Sequence, residues 1–315
     1  MSVSHGVDGG LLQAEAVAKD GDAVFRPSQR FTLPRGGDGG GELVYYRYGP
    51  ADASQTALAI HGITSSHKAW QWIARLLVGR GVAVFAVDLR GRGDSAGLAG
   101  AGFLNHAEDM VAVLDHAGLN KVDLVVGHSM GAFVAAALQS LVPDRIGRSV
   151  LIDGGLPLAL PGGETIETFL PKLLGPALER LAMKFESKET YQDWFKVHPG
   201  FVGRGWSAAL SDYTDYDLRN GSPCTASSAV AADSRDLFES DIVERGLALL
   251  PQGTLLIRAA RGLCNEPVPL YPEHVLQEAL EKFTRVVTQT VDFNHYDIVL
   301  SDEGASACVS LIYGP

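Results

Sequence analysis

The sequence has 315 residues, 46% of them apolar and 20% charged, which is enough apolar material for one large domain or for a domain with an insertion. The formal net charge of −11 repels nucleic acid and anionic membrane surfaces, so neither is an expected partner. Three widely spaced cysteines without a CxxC pair predict neither a disulfide framework nor a zinc site, and they fit a reducing compartment.

The N-terminal segment, residues 1–24, is predicted to be a loose arm. It has no basic start and no sustained apolar run, so it does not look like a secretory signal. Along the whole chain, no apolar run approaches the roughly 20 residues that span a bilayer. We therefore expect a soluble, cytoplasmic protein. Residues 30–34 and 42–48 are predicted strands, and the glycine-rich stretch 36–41 between them predicts a hairpin turn.

Strand and helix then alternate along the chain. The predicted strands are 56–60, 82–87, 122–126 and 149–152, and the predicted helices are 68–78, 104–116 and 131–141. After about residue 157 the alternation stops, and it resumes with strands 254–257 and 285–291 and helices 273–282 and 304–312. This pattern predicts an α/β fold with a mostly parallel sheet between two layers of helices. Residues 25–156 and 246–315 would form the core, and residues 157–245 an inserted helical cap.

The stretch "VVGHSMG" places a serine between two glycines, after a predicted strand and before a predicted helix. It fits the pattern G-x-S-x-G in the structural context that this pattern requires. Small residues on both sides let strand and helix approach closely, and the tight turn would point the Ser129 hydroxyl out above the carboxyl ends of the strands. Ser129 is therefore the candidate nucleophile, provided that the chain supplies a base.

His295 is the candidate base. It lies in "VDFNHYDIVL", directly after a predicted strand and before the last helix, where a loop returns to the carboxyl edge of the sheet. His106 and His116 lie on a predicted helix, which makes them packing or surface residues. The side chain of His128 is expected to diverge from its neighbour Ser129 because the turn is so sharp.

A base of this kind needs a carboxylate that fixes its tautomer and stabilises the imidazolium. Asp153 directly follows the predicted strand 149–152 and is the favoured acid. Glu266, after the next strand, is the alternative. Asp292 and Asp297 are less favoured because they flank the histidine so closely in sequence.

Acyl transfer also needs hydrogen-bond donors for the developing oxyanion. The N–H of Met130, the residue after the candidate nucleophile, is one predicted donor. The second is expected from the loop "HGITSS", in which Gly62 lets the backbone turn its amides toward the site. Ile63 N–H is the favoured second donor, with Thr64 next, and His61 is predicted to hold this loop in place.

The segments "HGITSSHKAW", "VDLRGRGDSAG", "VVGHSMG", "VLIDGG" and "NHY" occur in the order and spacing of the α/β-hydrolase fold superfamily. The chain resembles this superfamily from about residue 42 to its end, apart from the helical block. The resemblance implies an eight-stranded, mostly parallel sheet, a cap or lid, and a triad of Ser129, Asp153 and His295. The chain departs from the usual pattern because no aspartate directly follows the penultimate strand; some members place the acid after the earlier strand, as Asp153 is. In this fold the tripeptide Arg92-Gly93-Asp94 belongs to a structural turn and does not indicate adhesion.

These expectations converge on a hydrolase of carboxylic esters or lactones that works through an acyl-enzyme and uses no metal or cofactor. The expected partner is a small to medium hydrophobic substrate. Hydrolysis of a carbon–carbon bond in a ring-cleavage product is the alternative reaction, and a non-catalytic ligand receptor on the same fold is the alternative class.

An aspartate nucleophile, as in the haloalkane and epoxide hydrolases of this fold, is disfavoured because the turn holds Ser129. A thiol nucleophile is disfavoured too, with Cys264 as the one cysteine in a loop-like setting.

Five residues are the predicted substrate contacts: Trp194, Trp206, Phe201, Phe169 and His128. The four aromatic residues come from the predicted cap and suit a mainly apolar pocket. The alternative is that they form only the small core of the cap itself. The sequence specifies no oligomeric state.

Overall fold

The computed structural model describes residues 23–36, 40–160 and 162–314. Nearly all of the predicted N-terminal arm, residues 1–24, and the centre of the glycine-rich turn therefore lie outside the described residues. Within the described ranges the chain forms an eight-stranded sheet with helices on both faces.

The strands of this sheet follow the prediction closely, and most extend beyond the predicted bounds. They are β1 Gln29–Arg35, β2 Gly41–Tyr48, β3 Gln55–Ile60, β4 Val82–Asp88, β5 Val122–His128, β6 Ile146–Ile152, β9 Thr254–Arg261 and β10 Val286–Asn294. Their order across the sheet is β1-β2-β4-β3-β5-β6-β9-β10. The pairs β1–β2 and β2–β4 are antiparallel and the others are parallel, which confirms the predicted fold class. A separate short hairpin pairs β7 Leu218–Arg219 with β8 Ser222–Pro223.

The helices also follow the predicted order. They are α1 Gln71–Val78, α2 Phe103–His116, α3 Met130–Leu141, α4 Ile166–Ala182, α5 Lys188–Val197, α6 Ala208–Asp217, α7 Ser227–Glu239, α8 Asp241–Leu249, α9 Glu273–Lys282, α10 Asp297–Leu300 and α11 Asp302–Tyr313. The first part of the predicted helix 68–78 is a 3-10 turn, His67–Trp70, that leads into α1. Among the described residues, no helix has the length and apolar character needed to cross a membrane.

The sheet is covered on both faces because its central strands are apolar on both sides. All seven residues of β4, "VAVFAVD", are buried. Ala83, Phe85 and Val87 pack on one face with α2, α3 and α8, whereas Val84 and Ala86 pack on the other with α1 and α11. This alternation follows from the period of two along a strand, and it explains why β4 reads as one continuous apolar run.

The segment between β6 and β9 contains the helices that break the strand–helix alternation. We call residues 157–240, with α4 to α7, the helical insertion. Helix α8 is different, because it packs along α3 so closely that a Cβ at Gly246 would lie 1.6 Å from the carbonyl oxygen of Ala136. Helix α8 therefore belongs to the core layer. The boundary predicted at residue 245 falls inside this helix, which spans Asp241–Leu249.

Candidate active site

Ser129 lies on a sharp turn between β5 and α3, with φ 54° and ψ −125°. A positive φ is unfavourable for a residue with a side chain, so the surrounding packing must hold this conformation. Three glycines make the packing possible: an added Cβ would lie 2.2 Å from Gly131 O at Gly127, 1.9 Å from Ile60 O at Gly131, and 2.2 Å from Ser129 O at Gly154. The predicted requirement for small residues around the serine is therefore met by direct backbone contact.

The candidate base and the favoured acid meet beside this turn. His295 directly follows β10, and its Nδ1 donates to Asp153 Oδ2 at 2.6 Å. Asp153 is fully buried, and its other carboxylate oxygen accepts the Ala259 N–H at 3.0 Å. With Nδ1 engaged, Nε2 is the ring nitrogen of His295 that remains to exchange a proton. Ser129 and His295 line the same cavity, so the structure brings together the three residues of the predicted triad.

The other candidate acids have different partners. Glu266 is exposed, and its carboxylate accepts the Cys264 N–H at 2.8 Å within a turn of the loop after β9. Asp292 is paired with Arg261, and Asp297 with Arg204. Burial and the Glu266 carboxylate raise the pKa of the Cys264 thiol, which disfavours the thiolate that a cysteine nucleophile would need.

His128, a predicted substrate contact, lines the cavity and also holds the candidate base. Its Nε2 donates to the backbone carbonyl of His295 at 2.9 Å, and the two rings lie 4.7 Å apart. Burial, and then the neighbouring imidazole, lower the pKa of His128 well below its ordinary value. A neutral ring keeps one N–H, and here this donor fixes the loop that presents His295.

Asn294 was not identified from the sequence, although it stands in the quoted "NHY". Its side-chain oxygen accepts the N–H groups of Tyr296 and Asp297, both at 2.9 Å. Its side-chain nitrogen donates to Gly200 O at 3.1 Å and to Asp297 Oδ2 at 2.8 Å. Asparagine side chains commonly accept from backbone N–H groups two or three residues further on, so an asparagine at the end of a predicted strand could have indicated this turn. The asparagine fixes the backbone on both sides of His295.

Both predicted oxyanion donors lie beside Ser129. Met130 is the first residue of α3, so its N–H has no partner within the helix and lies at the positive end of the helix dipole. On the other loop, a Cβ at Gly62 would lie 3.2 Å from Ser129 Cβ and 3.6 Å from Ser129 Oγ. Ile63 lines the cavity with Ser129, and a small adjoining void is lined by Ile63, Ser129 and Met130 together.

His61 holds the 62–64 loop, as predicted. Its Nε2 accepts the Leu89 N–H at 3.0 Å, so the proton is on Nδ1, which donates to Gly62 O at 2.7 Å. Burial lowers the pKa of His61 to about 4, which keeps the ring neutral near pH 7. The side chain thus links the loop after β3 to the residue that follows β4.

The cavity beside Ser129 is small. Its free volume is about 40 Å³, which suffices for little more than water. Its wall on the side of the insertion comes from Leu174 and Ala177 of α4 and from Tyr213 of α6, and Leu263, Tyr296, Val299 and Leu300 come from the core. Among the described residues, no group of three His, Cys, Asp or Glu side chains is placed to hold a metal ion.

Three of the predicted substrate contacts line neither this cavity nor the larger space that Phe169 lines. Trp194 packs edge-on against Phe195, with ring centres 5.0 Å apart, and Phe201, only 3% exposed, contacts the same ring at 5.2 Å. Trp206 donates its ring N–H to Ser211 Oγ at 2.9 Å. These contacts agree with the stated alternative that the aromatic residues pack within the helical insertion, with Phe201 buried and Trp194 and Trp206 partly buried. Their role as substrate contacts stays a prediction.

Phe169 lines a second, larger space, which we call the apolar cleft. This cleft has a free volume of about 520 Å³ and lies between α4 and residues 262–275. Its apolar lining includes Leu158, Phe169, Leu173, Leu263, Leu270 and Val275. The small void at Ser129 shares Leu158, Leu173, Leu263 and Leu270 with the cleft. Leucine side chains thus separate the cleft from the candidate nucleophile.

An eight-stranded, mostly parallel sheet with a serine turn at the carboxyl edge is the architecture of an α/β-hydrolase fold. The sequence matches the Alpha/beta hydrolase family over residues 57–292, so the chain belongs to this family. It is 30% identical over 224 residues to epoxide hydrolase B of Mycobacterium tuberculosis, with 66% of this chain and 60% of that relative covered. The chain thus spans about 60% of the length of that relative.

A second relative and a solved structure extend the comparison. The chain is 29% identical over 260 residues to lipase LipV of Mycobacterium tuberculosis, with 80% of this chain and 90% of the relative covered. The peroxisomal alpha-beta-hydrolase Lpx1 of Saccharomyces cerevisiae superposes with a TM-score of 0.65 at 18% identity, covering 91% of this chain and 90% of that one. At this identity the structural likeness shows the fold alone.

Proposed function

We propose that the protein is a serine hydrolase that cleaves a carboxylic ester or lactone of a small to medium hydrophobic substrate through an acyl-enzyme. The observation that carries this proposal is the hydrogen bond of 2.6 Å between His295 Nδ1 and Asp153, formed beside Ser129 in one cavity. Such a bond orients an imidazole toward a serine hydroxyl and stabilises its protonated form during reaction.

The proposed reaction has two halves. Ser129 Oγ attacks the carbonyl carbon while its proton passes to His295 Nε2, and the Met130 and Ile63 amides donate to the oxyanion. His295 then gives the proton to the leaving alcohol oxygen, the carbon–oxygen bond breaks, and the acyl group remains on the serine. In the second half, His295 takes a proton from water, the resulting hydroxide attacks the acyl carbon, and Ser129 leaves with that proton as the free acid departs.

The names of the relatives point to two bond types, and the turn residue favours one of them. The lipase relative matches along most of its length, which supports ester hydrolysis. Epoxide hydrolases of this fold use an aspartate nucleophile, whereas this chain has Ser129 at that place. We therefore favour the ester or lactone over the epoxide.

The apolar cleft supports a hydrophobic substrate. We propose that the reacting carbonyl lies beside Ser129 while the apolar part of the substrate extends past Leu263 into the cleft. The cavity at Ser129 is too small to hold such a group, and the cleft has the required volume and lining. Binding would require the leucine side chains between the two spaces to move aside.

The test is a comparison of wild type, Ser129→Ala and the matched control Ser65→Ala. Ser65 also lines the cavity but is hydrogen-bonded to the Tyr213 hydroxyl at 3.2 Å. Each protein is assayed on p-nitrophenyl esters, lactones, epoxides and diketone-like acids, and treated with a fluorophosphonate probe. We expect labelling of wild type and Ser65→Ala only, and a loss in kcat of about 10⁶ for Ser129→Ala.

Other results would replace the proposal. Full ester hydrolysis by Ser129→Ala would exclude the serine mechanism. Turnover of the diketone-like acids alone would favour the carbon–carbon hydrolase. Labelling of Ser129 without turnover of any compound class would favour a ligand receptor.

A further inference from the structure

Three consecutive carbonyl groups of the 62–64 loop are each held by a buried side chain. Gly62 O accepts from His61 Nδ1 at 2.7 Å, Ile63 O from Arg92 Nε at 3.0 Å, and Thr64 O from an Arg180 guanidinium nitrogen at 3.3 Å. His61 and Arg92 are fully buried, and Arg180 is 3% exposed. The whole loop is thus fixed from the side of its carbonyl oxygens.

Holding the carbonyls determines where the amides point. In a planar trans peptide the C=O and the following N–H point in opposite directions. His61 therefore sets the direction of the Ile63 N–H, and Arg92 sets that of the Thr64 N–H. Within the described residues neither amide donates to a protein acceptor. The Ile63 N–H is the proposed second oxyanion donor beside the Met130 N–H, and the Thr64 N–H is the alternative to Ile63.

Arg180 belongs to α4 of the helical insertion, and the insertion fixes its position. Its guanidinium forms an ion pair with Asp217 and donates to the Tyr191 hydroxyl. It also lies 5.7, 5.9 and 5.2 Å from the ring centres of Tyr191, Trp194 and Phe195. One turn away on the same helix, Ala177 lines the cavity at Ser129. Movement of α4 would therefore move Arg180 away from Thr64 O.

Arg92 belongs to the core, but its counterion comes from the insertion. Its guanidinium lies 2.5 Å from Asp233 of α7, and this carboxylate also accepts from His106 Nε2 at 3.0 Å. A buried arginine needs such a partner, because an unpaired charge in the protein interior is strongly unfavourable. The orientation of Arg92, and with it Ile63 O, depends on α7 remaining in place.

We propose that Arg92 and Arg180 are positioning residues that make the oxyanion-binding geometry of the 62–64 loop depend on the packed helical insertion. This proposal rests on the proposed function. When α4 moves to admit a substrate, Thr64 O loses its donor and the 62–64 loop loses its anchor on the insertion. The directions that His61 and Arg92 give to the Ile63 and Thr64 amides are then held less firmly. Full transition-state stabilisation returns only when the insertion packs again over the bound substrate.

The test compares Arg92→Lys and Arg180→Lys with the control Arg90→Lys. Lysine keeps the charge but cannot span a carboxylate and a carbonyl as the planar guanidinium does. Arg90 is a matched control because it is also buried and ion-paired, with Asp109 at 2.5 Å, yet its side chain donates to Ala99 O and Asp109 instead of the loop. We expect a fall in kcat and in fluorophosphonate labelling rate of roughly 10- to 100-fold for the first two variants, with KM nearly unchanged.

Amide hydrogen exchange of residues 62–65 is measured in parallel, because it does not require activity. We expect faster exchange there in Arg92→Lys and Arg180→Lys than in wild type or Arg90→Lys. Asp217→Asn, which weakens the hold on Arg180 from the insertion side, should act in the same direction and serves if Arg180→Lys does not fold. Exchange and labelling rates equal to those of Arg90→Lys in folded variants would overturn the proposal. An unlabelled wild type would instead refute the serine mechanism, while loop exchange would still decide the coupling.

Discussion

His295 and Asp153 are 142 positions apart in the sequence, and their side chains meet in a hydrogen bond of 2.6 Å. Along the chain, Asp153 precedes the helical insertion and His295 follows it. The parallel pairing of β6, β9 and β10 brings the two residues together. Asp153 is held further by its own backbone, which has φ 41° and donates to Ile257 O at 2.8 Å. Asp153 is thus held by backbone contacts as well as by its bond to the imidazole.

The first prediction concerns this carboxylate. Asp153→Asn should lower kcat by about 10⁴ without unfolding the protein, because an amide stabilises neither the required tautomer nor the imidazolium. Glu266→Gln should change kcat little, since Glu266 only closes its own turn. Steady-state kinetics on one p-nitrophenyl ester decide the point. A large loss in Glu266→Gln with an active Asp153→Asn would reverse the assignment.

The second prediction concerns the serine turn. Gly131→Ala should destabilise the protein by at least about 2 kcal/mol, because the added methyl would lie 1.9 Å from Ile60 O and backbone must move to accommodate it. Gly97→Ala is the control, since a Cβ there meets no atom within 4 Å. Urea unfolding of both variants gives the comparison. Equal midpoints for the two would contradict the packing described for the turn.

The third prediction concerns pH. Burial lowers the pKa of His61 to about 4. Between the unfolded and folded pKa values, the unfolded chain therefore binds a proton at this residue that the folded protein does not bind. Above about pH 6.5 the titration of His61 does not affect stability. As the pH drops from 6.5 to 4, this titration lowers the free energy of unfolding by roughly 3 kcal/mol in total.

His61→Gln removes this titration while keeping one donor and one acceptor. Its unfolding free energy should therefore fall less steeply between pH 6.5 and 4 than that of the wild type. The exposed His274, changed to glutamine, serves as control and should leave the slope intact. Parallel slopes for wild type and His61→Gln would show that the buried ring does not titrate as described.

The fourth prediction concerns the apolar cleft. Leu263→Trp should fill the passage between the cleft and Ser129, because Leu263 lines the cavity, the small void and the cleft. We expect kcat/KM for an octanoyl ester relative to an acetyl ester to fall by about tenfold or more. Leu104→Trp, at a half-exposed leucine of α2, is the control. An unchanged ratio in Leu263→Trp would place the acyl chain elsewhere.

Much of the core could be predicted from the sequence because its signals are local. A strand buried on both faces reads as an apolar run, as β4 does, and a serine between glycines after such a run predicts the turn at Ser129. The sequence favoured Asp153 as the acid but left Glu266 as an alternative, because no local signal decides between them. The choice depends on strand pairing, which brings Asp153 and not Glu266 to His295.

The helical insertion was less predictable for a similar reason. The aromatic residues of α5 and the following loop have the same pattern whether they face a substrate or one another. Only their contacts show that Trp194 and Phe201 both pack against Phe195 in the insertion. The proposed role of Arg180 could not be predicted from the sequence, because it depends on a contact with Thr64, 116 positions away. The sequence of helix α8 likewise does not distinguish it from the helices of the insertion. Only its close contact with α3 assigns it to the core layer.

The packing of Gly246 against Ala136 has a consequence for exchanging the helical insertion between relatives. Since α8 belongs to the core layer, a graft should end before Asp241, and a junction at residue 245 would cut a helix that supports α3 and hence Ser129. A transplanted insertion must also supply a carboxylate at position 233. Without it, Arg92 would be a buried cation with no counterion, and the chimera would lose stability at the same loop on which its chemistry depends.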